Sequence, residues 1–248
     1  MIVASHGVLT PEEAETWLSG DRPTAESAAL QPCLFSFDDG FVSNRRIAET
    51  VLAPLGIRAL FFISPGLIEL KPEEQAYRIA ATVFDGRVEP EDIPASLRPM
   101  SWTEMNKLKA MGHAIGAHGM LHRRLTALAG EELEWEIVEA AARIESRLGA
   151  AVPWFAYAFG DIGSISRSAL ELIGQRYRFC RSGVRGANDV DVDRLALRGD
   201  MIDLEGPLAY QQLTVEGGLD RRYREAREHL DLIVRPQSKV ADSEGDNF

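Results

Sequence analysis

The chain has 248 residues, 45% of them hydrophobic and 26% charged, with 27 Lys and Arg against 38 Asp and Glu for a net charge of −11. That composition belongs to a globular chain, and its acidity excludes a general nucleic-acid binder, which needs a basic footprint to displace phosphate counterions. No run of about 18 apolar residues is present, so no membrane insertion is expected.

Two cysteines, Cys33 and Cys180, make no disulfide framework. The opening residues lack the basic, apolar and small-residue succession of an export signal, so the expected compartment is the cytoplasm. The length suits one domain, here residues 1–236, followed by a polar tail at 237–248 that reads as disordered. The sequence carries no signature of an oligomeric state.

In chain order, β-rich apolar runs alternate with amphipathic stretches. Residues 2–5 are the first strand candidate. Thr10-Pro11-Glu12-Glu13 then supplies a cap, a first-turn proline and acids that suit a helix dipole, leading into a helix over 14–18. Residues 33–37 and 59–64 are the next strands. The segment 65–99 breaks the rhythm with its prolines and mixed charge, and it reads as a surface insertion near a barrel mouth with one short helix at 73–82. Ser101-Trp102-Thr103-Glu104 is a capping box for a helix that stops near Gly112, ahead of a strand at 113–117.

The longest helix, 130–148, places Leu133, Ile137, Ala140, Ala141, Ile144 and Leu148 on one face. Strands at 154–159, 179–181 and 195–202 and helices at 166–174 and 218–230 complete the pattern. Strand and helix in alternation imply parallel pairing with crossover helices, hence an α/β sheet or barrel.

Two constellations carry chemistry. Ser36-Phe37-Asp38-Asp39-Gly40 puts two carboxylates at the end of an apolar strand, where parallel sheets present their ligand crevice. Strand alternation sends the two side chains different ways, so they can take different roles, although a solvated Asp-Asp-Gly turn is the plain alternative. His118 and His122, four apart after an apolar strand, have a common metal-ligand spacing. His113, at the start of that strand, reads as a packing or capping group. Two histidines and one carboxylate leave open positions on a divalent ion, as a catalytic site requires, and the second carboxylate can take a proton from water. Amide or ester hydrolysis follows.

These residues resemble the polysaccharide deacetylases, the NodB-homology group of carbohydrate esterases. The family's T-F-D-D-G stands here as Ser36-Phe37-Asp38-Asp39-Gly40, and its H-[ST]-x-x-H as His118-Gly119-Met120-Leu121-His122 with Leu125 after it. Gly56-Ile57-Arg58-Ala59-Leu60-Phe61-Phe62-Ile63, Ser101-Trp102 and Met111-Gly112-His113-Ala114-Ile115-Gly116 match the flanks, and the likeness covers roughly residues 31–200. It implies a distorted (β/α) barrel of about seven parallel strands. Asp38 is then the catalytic base, and Asp39, His118 and His122 hold a divalent metal, zinc first and cobalt, nickel or manganese as alternatives. The substrate implied is an N-acetylated saccharide, such as one met in surface-polysaccharide synthesis.

The chain also departs from the family. In place of R-P-P-Y it has Trp154-Phe155-Ala156-Tyr157-Ala158-Phe159-Gly160-Asp161, a variant in which Ala158 replaces a proline. The backbone near Tyr157 and Ala158 is the expected oxyanion donor and substrate contact. Gly119 replaces a Ser or Thr. The late histidine that normally supplies the general acid has only the surface residue His229 as a counterpart, so His6, after a first barrel strand, takes that role in the expectation. Arg198-Gly199-Asp200 resembles the family's arginine segment and makes Arg198 the residue expected to steady the catalytic Asp, with Asp200 or Asp203 in the same network. Two alternatives stay open: hydrolysis of a non-sugar amide or cyclic imide, and a carbohydrate-binding relative without catalysis.

Overall fold

The computed structural model describes residues 6–20, 32–189 and 191–235. The first strand expected, at 2–5, and the tail at 237–248 lie outside these. Five strands, β1 (Ser36–Phe37), β2 (Leu60–Ile63), β3 (Ala114–Ala117), β4 (Trp154–Ala156) and β5 (Phe179–Arg181), pair in parallel in sequence order. About seven strands were expected, and among the described residues five form the sheet. At its two edges the described residues make single parallel bridges, Val8 with Cys33 and Arg181 with Leu197.

Strand alternation divides the core. Leu60, Phe62, Trp154, Ala156, Phe179 and Leu197 fill the inner face of the curled sheet. The opposite face, with Phe61, Ile63, Ala117, Phe155 and Cys180, packs under the helices. Helix α1 (Pro11–Leu18) begins with the expected box: the Glu13 amide donates to Thr10 Oγ1 at 3.2 Å and the Thr10 amide to Glu13 Oε2 at 2.8 Å. Its Glu15 accepts from Trp154 Nε1 at 2.8 Å, tying the helix to the sheet.

After β1, helix α2 (Val42–Ile47) leads through a π-turn into β2. The segment 65–99 holds α3 (Pro65–Glu69) and α4 (Pro72–Thr82), and its Leu67 and Ile79 bury with Phe41 in a small core of their own. Helix α5 (Trp102–Ala110) carries the Ser101–Glu104 box and ends at Met111, where Gly112 turns the chain. The long helix is continuous from Gly130 to Leu148 but contains a π-turn: α6 (Gly130–Glu134), the π-turn Trp135–Glu139, then α7 (Ala140–Leu148). Helices α8 (Arg167–Arg176), α9 (Leu208–Val215) and α10 (Arg224–Val234) complete the chain. Among the described residues no helix is long and apolar enough to cross a membrane.

Candidate metal centre and its surroundings

Alternation brings the chemistry to the carboxyl end of the sheet. Phe62 and Phe179 point to the inner face, and Arg181, two residues beyond Phe179, shares that direction, its guanidinium 5.0 Å from the Phe62 ring. Asp38 follows β1, and His118 follows β3 while still donating its amide to the Ile63 carbonyl at 2.8 Å.

Asp39 leaves the alternation because its backbone is left-handed, with φ +68°. The turn is fixed by Asn44, whose Nδ2 donates to the Asp38 carbonyl at 2.7 Å. Gly40, at φ +66°, comes so close to Ile63 that a Cβ there would lie 2.7 Å from its Cγ2. His122 (φ +57°) and Phe159 (φ +67°) are left-handed too, and their rings meet edge to face at 5.0 Å. Three strained non-glycine residues around one point, each costing of order 1 kcal/mol or more, mark a site whose geometry is imposed by its surroundings.

Asp39 Oδ1 faces both imidazoles, 3.7 Å from His118 Nε2 and 3.4 Å from His122 Nε2. The opposite ring nitrogens are fixed. His118 Nδ1–H donates to the Ala156 carbonyl at 2.7 Å and His122 Nδ1–H to the Thr82 carbonyl at 2.9 Å. A carbonyl can only accept, so both Nε2 lone pairs turn towards Asp39. This is the tautomer a histidine ligand needs.

Asp39 Oδ1 is buried without a hydrogen-bond partner, and the three ligand atoms lie within 4.8 Å of one another. A buried carboxylate oxygen with two imidazole lone pairs aimed at its surroundings fits a divalent cation. Burial pushes the Asp39 carboxyl up to about 6, with His118 opposing and Asp38 adding to the rise. His122 is pushed down to about 3 by burial and by His118, which keeps it neutral and able to ligate.

Asp38 stands apart from the three. Burial raises its pKa, but the Arg181 guanidinium, together with His118 and His122, outweighs that and holds the carboxyl below its ordinary value. Arg181 Nη2 binds both its oxygens, Oδ2 at 2.6 Å, and 41% of the Asp38 side chain remains in solvent.

Three sequence expectations need correction. Arg198 does not steady Asp38; its Nη2 pairs with Asp231 of α10 at 3.0 Å, and Arg181 takes the expected place. Asp200 faces Arg185 at 3.7 Å rather than Asp38. The expectation at Tyr157 concerned its backbone and needs no such change: the side chain is core, 1% exposed, with its hydroxyl donating to the Gly160 carbonyl at 3.0 Å.

His6 is the third. Val8 pairs in parallel with Cys33, the Gly7 carbonyl accepts from the Cys33 amide at 2.7 Å, and Asp38 lies five residues beyond Cys33. At about 3.3 Å per residue, His6 sits on the amino side of a point roughly 16 Å from Asp38. That is the wrong end of the sheet for protonating a leaving group. His113 packs as expected, its Nδ1 accepting from the Ala59 amide at 3.0 Å, and His229 is exposed.

Comparison with known proteins agrees with the geometry. The family model described as polysaccharide deacetylase matches residues 28–178, more than half of the chain. The fold is similar to a Streptococcus pyogenes deacetylase, PplD, solved with acetate, at TM-score 0.63 and 16% identity over 86% of this chain and 82% of that one. It is also similar to IcaB of Ammonifex degensii, at TM-score 0.59 and 21% identity over 84% and 82%. A third is the de-N-acetylase of Aggregatibacter actinomycetemcomitans, at TM-score 0.62 and 14% identity over 87% and 84%. No curated protein is significantly similar in sequence. The motifs, the curled parallel sheet and the match over most of its length show that this chain belongs to the polysaccharide deacetylase family.

Proposed function

We propose that the chain hydrolyses the N-acetyl group of an acetamido sugar, with a divalent metal held by Asp39, His118 and His122 and with Asp38 as the proton carrier. The observation that supports this best is the pair of histidines whose Nε2 atoms are turned to a buried, unpartnered Asp39 oxygen by carbonyls of Ala156 and Thr82. A divalent ion held there, zinc first among the candidates, supplies Lewis acidity, polarising the amide carbonyl and making a water easier to deprotonate.

The rest of the work falls to side chains. Arg181 keeps Asp38 ionised and fixes its plane, so a lone pair stays available for the proton of the attacking water. Once protonated, Asp38 is an acid of lowered pKa, well suited to return that proton to the leaving nitrogen. In this proposal one carboxyl, Asp38, serves both steps. The backbone near Tyr157 and Ala158, just past β4, is the candidate donor to the developing oxyanion. The saccharide substrate is inferred from membership of the polysaccharide deacetylase family.

Two observations bear on the alternatives. The non-catalytic reading arose from an absent third-motif arginine and a late histidine without a counterpart, and of these Arg181, paired with Asp38, answers the first. No residue of the site speaks for a cyclic imide. Acetate release from chitin oligosaccharides and other N-acetylated sugars, measured for the wild type and for Asp38→Asn, is the test. The wild type should release acetate and the variant should lose at least a hundredfold while still binding metal. A wild type that is silent on every acetamido sugar but cleaves a cyclic imide would replace the proposal.

A further inference from the structure

Helix 130–148 carries a charge where its pattern calls for a hydrocarbon. Leu133, Ile137, Ala140, Ala141 and Ile144 form the buried stripe, and Glu136, on the same face, is 0% exposed. An ionisable group in that position is costly unless its bonds repay the lost hydration.

Glu136 Oε1 accepts from the amides of Leu121 and Arg123, both at 3.0 Å, and its backbone carbonyl accepts from the Met120 amide at 3.0 Å. These amides lie in the turn between His118 and His122 and on either side of His122 itself. Gly119 completes the fit: at φ +77°, a Cβ there would lie 2.5 Å from Glu136 Oε1. The carboxylate occupies the space a side chain at 119 would need. The residue sits in the π-turn Trp135–Glu139, a helix irregularity often found at functional sites. Its second oxygen, Oε2, is buried with no partner, so the carboxylate is held for the two bonds of Oε1 alone.

We propose that Glu136 is the positioning residue of the metal centre, holding the His118–His122 turn, and the left-handed backbone of His122 within it, in the shape that presents both Nε2 atoms to one ion. The inference rests on reading Asp39, His118 and His122 as metal ligands. A left-handed non-glycine residue persists only where its surroundings over-determine it, and bonds to the amides on both sides of His122 do this. The acceptor geometry, not the charge, carries the role.

Glu136→Asp retains the charge and withdraws the acceptor by one methylene, whereas Glu136→Gln retains an acceptor at full reach. Zinc affinity, measured on the full chain by competition with a chromophoric chelator, should fall by about 10- to 100-fold in the aspartate variant, the range for residues that orient metal ligands. It should stay within about threefold in the glutamine variant. Hydrogen exchange of the zinc-free chain should show the Leu121 and Arg123 amides unprotected with aspartate and protected with glutamine. Ile144→Ala, which thins the same helix without touching the turn, should lower the melting temperature and leave zinc affinity unchanged.

An aspartate variant with wild-type affinity overturns the proposal. So does a glutamine variant as weak as the aspartate one, or an Ile144→Ala variant that loses affinity equally. Should the aspartate variant fail to fold, the glutamine and alanine variants decide. A wild type that binds no zinc at all would remove the metal reading instead, and the amide exchange would still judge the clamp.

Discussion

Replacing Arg181 with methionine removes the guanidinium that binds both oxygens of Asp38 while keeping a side chain of similar length on the inner face of β5. A hydrogen bond to a charged group contributes about 1.5–3 kcal/mol, and the 41% exposure of the Asp38 side chain places this pair towards the lower part of that range. A loss of about 2 kcal/mol in the transition state corresponds to roughly a 30-fold fall in kcat/KM. The pH profile adds a second readout. Burial raises the Asp38 pKa and Arg181 is the first influence that lowers it, so its removal lets the pKa rise and moves the acidic limb of the rate to higher pH. Arg181→Lys should lie between, since an ammonium keeps the charge and loses the planar fork. Acetate release followed from about pH 4 to 9 measures both effects. An Arg181→Met enzyme with wild-type kcat/KM and an unmoved acidic limb would refute the role given to this residue.

Three further outcomes follow from the same geometry. Arg198→Met should leave kcat/KM within about threefold in steady-state assays and lower stability by about 1.5–3 kcal/mol in urea unfolding, because its half-buried guanidinium binds Asp231 of α10 and the Ala187 carbonyl, not Asp38. His6→Ala should leave kcat within about twofold at all pH values, since the pairing of Val8 with Cys33 places it at the far end of the sheet; a large kcat loss would restore it as the general acid. Metal binding should weaken about tenfold between pH 7 and pH 5 in a competition titration. Proton and cation contend for the Asp39 carboxylate, whose pKa stands at about 6, so affinity falls as the pH drops through that value, while His122, held at about 3, stays neutral throughout.

Much of the centre was legible because its parts are local. Asp38 with Asp39, and His118 with His122, each fall within five residues, and each pair follows an apolar strand whose end in a parallel sheet faces the crevice. Arg181 was not legible in that way: it lies 143 residues from Asp38, in a three-residue strand, and only the inward alternation with Phe179 marks it. Arg198 drew attention through its neighbours Gly199 and Asp200, but a guanidinium binds whichever carboxylate tertiary packing brings, here Asp231. The misplacement of His6 came from register. Sequence suggests that a strand exists near the amino terminus, and only the pairing with Cys33 says which end of it faces the site.

The segment 65–99 reads as an insertion from its prolines, yet the Thr82 carbonyl at the end of α4 orients His122. A backbone acceptor leaves no trace in residue type. Glu136 did leave one: a carboxylate three residues after Leu133 and one before Ile137, inside the apolar stripe of the longest helix. The left-handed backbones of Asp39, His122 and Phe159 follow from closing the site and belong to no local motif.

The central claim is that Asp39, His118 and His122 hold one ion on which deacetylation depends. The most direct measurement strips the protein with a chelator, titrates zinc back, and follows both bound metal and acetate released from an N-acetylated sugar oligomer. The account predicts no release from the stripped protein, and activity rising with bound zinc to saturate at one equivalent per chain, with His118→Ala failing on both counts. Full activity in the stripped protein, or stoichiometric zinc binding that survives His118→Ala, would contradict it.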